Sequence, residues 1–174
     1  MVMSIDQNFS RVSDAVVIET SGPWQSKSGG TLSVLFSLSA EQTAVFQDYN
    51  NPEFDKIATQ AGTNIRGMRV YNVENIPNGS TGANEFHLAR TEIVNVLSGK
   101  SLWRLEDVYG DVKEFTLDST SSLIIPAGIL HTYTALEDKT RLQVICNTLF
   151  IPADPRTHDS YMIDEFKQLH QNFN

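Results

Sequence analysis

An all-β chain that closes on itself, with a strand-and-helix extension in front and a helix behind, is what this sequence predicts. From Ile65 onward, short alternating apolar runs follow one another at close spacing with turn residues between them, the pattern of a sandwich or barrel. Ahead of them, between residues about 40 and about 64, the apolar period changes to a helical one. Glu85, His87, Glu92 and His131 fall within or beside the apolar runs, and ionisable groups inside a core are costly unless they form a site.

The elements can be taken in chain order. Residues 15–18 are an apolar patch, Ala-Val-Val-Ile, and residues 29–38 alternate, so both read as early strands. Residues 39–46 read as a helix, and a second begins with Pro52 in its first turn, runs through Ala58 and stops at Gly62. Strands then follow at 67–73, 85–97, 101–108, 112–117, 122–125, 131–136 and 141–149. Residues 77–82 and 118–121 are the loops, and Tyr109-Gly110-Asp111 is a hairpin turn. Pro152 and Pro155 end the sheet, and 161–169 reads as an amphipathic closing helix. One domain spanning 1–174 is expected, divided into an extension (1–64), a barrel core (65–152) and a closing helix (153–174).

Bulk composition narrows the function. The chain has 174 residues, 40% apolar and 20% charged, as a soluble globular protein does. Thirteen basic against twenty-one acidic residues give a formal charge of −8, the wrong sign for a nucleic-acid partner. No apolar stretch suits a bilayer, and residues 1–6 lack the features of a signal peptide, so a cytoplasmic location is expected. The single cysteine, Cys146, lies in an apolar run and reads as a strand filler.

Two segments carry the chemistry. In the first, His87-x4-Glu92-x6-Gly99, the strand period of two sends Glu85 and His87 to one face, a neighbouring strand brings Glu92, and Gly99 serves a tight hairpin. In the second, Pro126 closes the apolar run Leu123-Ile124-Ile125, Gly128 permits a sharp bend, and His131 opens the next strand facing inward. Alternation also puts Tyr71 and Tyr133 on the inward face, and Arg69 at the pocket mouth, where a guanidinium would hold a phosphate.

Together these segments match the two-part signature of a cupin barrel, with Glu85 where a first histidine is usual, and this resemblance implies a jelly roll. The chain also resembles the WxcM-like branch of nucleotide-sugar cupins, the thymidine-diphospho-4-keto-6-deoxyhexose 3,4-ketoisomerases. Residues 29–34 look like that branch's early Arg-Gly-x-Leu strand without its arginine, and Arg69-Val70-Tyr71 like its Arg-Val-Tyr-Tyr segment. Gly82-Ala83-Asn84-Glu85-Phe86-His87 stands in the place of its Arg-Gly-Asn-His-Ala-His, and Asp164-Glu165-Phe166 of its C-terminal Tyr-Asp-Glu-Phe. The resemblance implies an isomerase that needs no metal, with Glu85, His87, Tyr71 and His131 catalytic. It also implies that Arg69, Tyr133 and Asn84 bind a sugar nucleotide, and that the chain forms a homodimer.

A second reading makes Glu85, His87, Glu92 and His131 ligands of a divalent Fe, Mn, Zn or Ni ion in an oxygenase or metal-assisted isomerase. A third is a non-catalytic cupin that binds a small molecule. Trp24 and Trp103 read as packing residues, and His158 and His170 as solvated.

Overall fold

The computed structural model describes residues 9–171 and 173, so residues 1–6 and their expected lack of signal-peptide character lie outside the described residues. The strands are β1 (Val16–Glu19), β2 (Ser21–Gln25), β3 (Thr31–Val34), β4 (Arg66–Ile76), β5 (Thr81–Phe86), β6 (Glu92–Ser98), β7 (Ser101–Glu106), β8 (Val112–Leu117), β9 (Ser121–Ile125), β10 (Leu130–Ala135), β11 (Thr140–Thr148) and β12 (Tyr161–Met162). The α-helices are α1 (Ala40–Gln47), α2 (Pro52–Ala61) and α3 (Ile163–His170). Two five-stranded antiparallel sheets form, in the orders β1-β9-β6-β11-β4 and β12-β5-β10-β7-β8, while β2 and β3 pair only with each other. Alternation decides what lies between the large sheets: Val94 and Val96 of β6, Leu142, Val144 and Cys146 of β11, Trp103 and Leu105 of β7, and Leu123 and Ile125 of β9 are all buried in one cluster.

Local signals set the helix ends. Ser39 caps α1, its hydroxyl accepting from the Gln42 backbone N–H at 3.1 Å while the Gln42 side-chain Oε1 accepts from the Ser39 N–H at 2.9 Å. Asn51 caps α2, Pro52 fills its first turn, and Gly62 ends it in the left-handed region at φ 65°. The buried face of α2, with Phe54 and Ile57, packs on Ile65 and Ala89, so the helical extension rests against the loop that follows β5. On the other side of that loop, Phe166 and Leu169 of α3 pack with Phe86 and Leu88. Among the described residues no helix is long and apolar enough to cross a membrane.

Three expectations are corrected. The strand read over 85–97 is broken at residues 87–91, because the N–H groups of Leu88, Ala89 and Arg90 bond to the Asp159 carboxylate and leave no ladder to continue. The strand read over 29–38 is confined to β3. Its partner β2 contains Gly22 and Pro23, which argue against a strand on sequence alone. The closing helix starts at Ile163, since Tyr161 and Met162 instead pair with Phe86 and Glu85 of β5.

Gly99 turns β6 into β7 at φ 80°, and a Cβ there would stand 2.5 Å from Thr140 Oγ1. Gly99→Val is therefore expected to lower unfolding free energy by about 1–3 kcal/mol, read as a lower urea midpoint with an unchanged slope.

Candidate active site

Both imidazoles are held from behind. His87, just beyond β5, donates its Nδ1–H to the carbonyl oxygen of Asp159, and His131, the second residue of β10, donates its own to the carbonyl of Ile129 at 3.0 Å. A carbonyl only accepts, so each ring carries its proton on Nδ1 and turns Nε2 toward the interior. Those two Nε2 atoms each lie 3.5 Å from a carboxylate oxygen of Glu92, which projects from the start of β6, and the rings stand 5.2 Å apart between centroids. The Gly128 N–H donates to the His87 carbonyl at 2.6 Å, tying the second sequence segment to the first.

Glu92 is 3% exposed. Burial favours its neutral form, but its contact with His87 first, and then its setting beside His131 and the Arg90 guanidinium, outweigh that and hold the carboxyl far below the ordinary range. His131 moves the other way: chiefly burial, with His87 adding to it, lowers its proton affinity despite the pull of Glu92 and, more weakly, Glu85. Its Nε2 is thus a free lone pair near neutrality. Glu85, half-buried and paired across the ladder with His131, completes a group in which its carboxylate and both imidazoles offer atoms within 4.8 Å of one another.

Tyr71 and Tyr133 are half-buried and pack against the apolar core between the two large sheets. Burial, reinforced by the Glu92 and Cys146 charges, pushes the Tyr71 hydroxyl up, so it stays a phenol. Arg69 stands beside Tyr71, its guanidinium 5.2 Å from that ring and 5.0 Å from the Phe150 ring, with Nη2 donating to Cys146 Sγ at 3.5 Å and Nε buried without a partner. Asn84 takes a left-handed backbone at φ 66°, which asparagine tolerates, and its side-chain oxygen accepts from Thr132 Oγ1 at 3.4 Å. Gly82 is required for a spatial reason: a Cβ there would sit 2.3 Å from the Tyr133 hydroxyl oxygen. Gly82→Ala is expected to displace the Tyr133 ring and weaken ligand binding with little loss of fold, measurable by ligand titration alongside thermal melting.

Two residues of the site were not singled out from the sequence. Asp159 is 1% exposed, and its carboxylate accepts from Leu88 and from Ala89 and Arg90 at 2.8–2.9 Å, while its own carbonyl anchors His87. Arg90, also buried, lies with Nη1 3.4 Å from His87 Nε2 and 3.6 Å from Glu92 Oε1. Of the remaining sequence readings, Trp103 is buried against His131 and Tyr133, whereas Trp24 is half exposed on β2. His158 and His170, read as solvated, are instead partly buried, each with a ring nitrogen on a backbone carbonyl, Ile151 at 3.1 Å and Val108 at 2.9 Å. The chemistry is not in the surface cleft of about 650 Å³ between α1, α2 and the loops, where Asp48, Asn51, Leu88 and Gly128 line the walls without a converging acid–base set.

Glu85, His87 and His131 are of the right type for a divalent ion, and their Nδ1–H anchors are those of metal-bound imidazoles. The guanidinium of Arg90 nevertheless faces two of the four expected donors, His87 Nε2 and Glu92 Oε1.

No family model matches the sequence, and no curated protein matches it. Solved structures do. The chain is similar to a 3,4-ketoisomerase from Helicobacter canadensis, with a TM-score of 0.60 at 12% identity over 91% of this chain and 98% of that one. It is similar to a sugar 3,4-ketoisomerase from Thermoanaerobacterium thermosaccharolyticum in complex with TDP, again with a TM-score of 0.60, at 14% identity over 94% and 100% of the two chains. A Mycobacterium tuberculosis rmlC epimerase gives 0.56 at 15% identity over 82% and 68%. At these identities the likeness establishes the fold, which is the expected cupin jelly roll.

Proposed function

We propose that this chain is a cupin isomerase that moves a proton beside the carbonyl of a nucleotide-linked keto-deoxysugar. The observation that carries the reading is the convergence of the Glu85 carboxylate and the His87 and His131 imidazoles within 4.8 Å. Of the neighbours named above, one is a 3,4-ketoisomerase and another a sugar 3,4-ketoisomerase in complex with TDP, and both share the fold at low identity.

In this reading His87 Nε2, assisted by Glu85, removes the hydrogen on the carbon beside the carbonyl. The Tyr71 phenol gives its proton to the carbonyl oxygen, so a neutral enediol forms rather than an enediolate anion. His87 then returns its proton to the former carbonyl carbon, and Tyr71 recovers one from the neighbouring hydroxyl, which becomes the new carbonyl. His131 cannot donate from Nε2 while Nδ1 holds the only ring proton, so its part is to accept a hydrogen bond from a sugar hydroxyl and orient it. Arg69, whose Nε has no partner, is assigned the phosphate or a ring oxygen in this reading.

Incubation with thymidine-diphospho-4-keto-6-deoxyglucose in the presence of a chelator, followed by NMR, is expected to show the 3-keto isomer. Tight binding of the nucleotide without any isomer would support the non-catalytic reading instead. Tyr71→Phe is expected to lower turnover by about 10²-fold, since it removes one positioned proton donor.

A homodimer belongs to the same proposal. The 11-residue strand β4 lies at a sheet edge with Met68 70% and Val70 52% exposed, which an isolated chain would leave open to pairing. Light scattering is expected to give twice the chain mass of 19.4 kDa.

A further inference from the structure

Arg90 stands inside the cluster, yet no step of the proposed proton transfer uses it. Its side chain is 4% exposed, with Nη1 3.4 Å from His87 Nε2 and 3.6 Å from Glu92 Oε1, and with Nε donating to Thr148 Oγ1 at 3.2 Å. Its backbone is fixed as well, because the Arg90 N–H donates to Asp159 Oδ2 at 2.8 Å. Nη2 of Arg90 and Oε1 of Glu92 are both buried without a hydrogen-bond partner, so the guanidinium and the carboxylate face each other through charge alone. A guanidinium keeps its proton at any pH a protein survives, so this positive charge is permanent.

We infer that Arg90 is a resident cation that closes a latent divalent-metal site built from Glu85, His87, Glu92 and His131. Each imidazole presents an Nε2 lone pair with Nδ1–H held by a carbonyl, the arrangement that orients histidine on a metal. Two carboxylates supply the oxygen donors. What the set lacks is electrostatic room, since an ion at the meeting point of these donors would lie against a charge of its own sign in a water-poor interior. The guanidinium does part of a metal's work by neutralising Glu92. The other part, open coordination positions, it cannot supply. The inference stands whether or not the chain isomerises sugars.

The test is a cobalt(II) titration of the full chain, followed by visible absorption and calorimetry, on the wild type and on Arg90→Met, Arg90→Lys and Arg90→Met combined with His131→Ala. Arg90→Met is expected to bind one cobalt ion about 10- to 100-fold more tightly than the wild type, with ligand-field bands that the wild type lacks. Arg90→Lys, which keeps a cation, should stay near the wild type, and the double variant should lose the gain. Arg90→Gln, with a polar end for Thr148, takes the place of Arg90→Met if the latter fails to unfold cooperatively. Wild-type protein that binds cobalt as tightly as the Arg90 variants, or folded Met and Gln variants with no gain, would overturn the inference.

Discussion

His87→Asn lowers turnover of a keto-deoxysugar nucleotide by about 10²–10⁴-fold, the range a positioned general base contributes, while leaving KM within a few-fold of the wild type. The asparagine side-chain N–H can still bond the Asp159 carbonyl that now holds His87 Nδ1, so the loop after β5 keeps its place. What disappears is the inward lone pair 3.5 Å from Glu92. Steady-state kinetics paired with a thermal melt separate the two effects. A variant that folds normally and keeps more than a tenth of wild-type turnover would remove His87 from the base role.

Asp159→Ala costs about 3–5 kcal/mol of stability, the larger of the two effects on the fold. Its carboxylate accepts three consecutive backbone N–H groups in a place where water does not reach, and each buried donor left without a partner costs about 1–3 kcal/mol. The Arg90 guanidinium also loses a neighbouring negative charge. Against a total of about 5–15 kcal/mol for a domain, this approaches unfolding, and urea denaturation will show it. Asp159→Asn keeps acceptor oxygen on one side only and should fall between the two. Because the same residue's carbonyl holds the His87 tautomer, activity in the folded fraction should drop further than the loss of folded protein explains.

These two residues differ in how far the sequence reveals them. His87 was legible because its partners lie close by: the strand period and the spacing to Glu92 and Gly99 are local, and the sharp Pro126–His131 turn adds the second imidazole. The strands from β6 to β11 were legible for the same reason, being short alternating runs closed by turn residues such as Gly99 and Gly110. Asp159 was not, since its hydrogen bonds reach back 69 to 72 residues and no periodicity marks a lone carboxylate among prolines and polar residues. The break at residues 87–91 was missed with it, because that loop leaves the ladder only to meet Asp159. Arg90 was passed over because arginine in a spacer reads as a solvated residue, and burial of one depends on partners that only tertiary structure supplies. The strand β2 was hidden by Gly22 and Pro23, which speak against strands wherever neighbouring pairing does not override them.

The most direct measurement is isotope exchange. The protein, freed of adventitious ions by chelator, is incubated in deuterated water with thymidine-diphospho-4-keto-6-deoxyglucose, and the sugar is examined by NMR and mass spectrometry. Deuterium at the former carbonyl carbon of the 3-keto product, absent in the His87→Asn reaction, is the expected result. Substrate that stays bound and fully protonated at carbon while the protein is folded would contradict it.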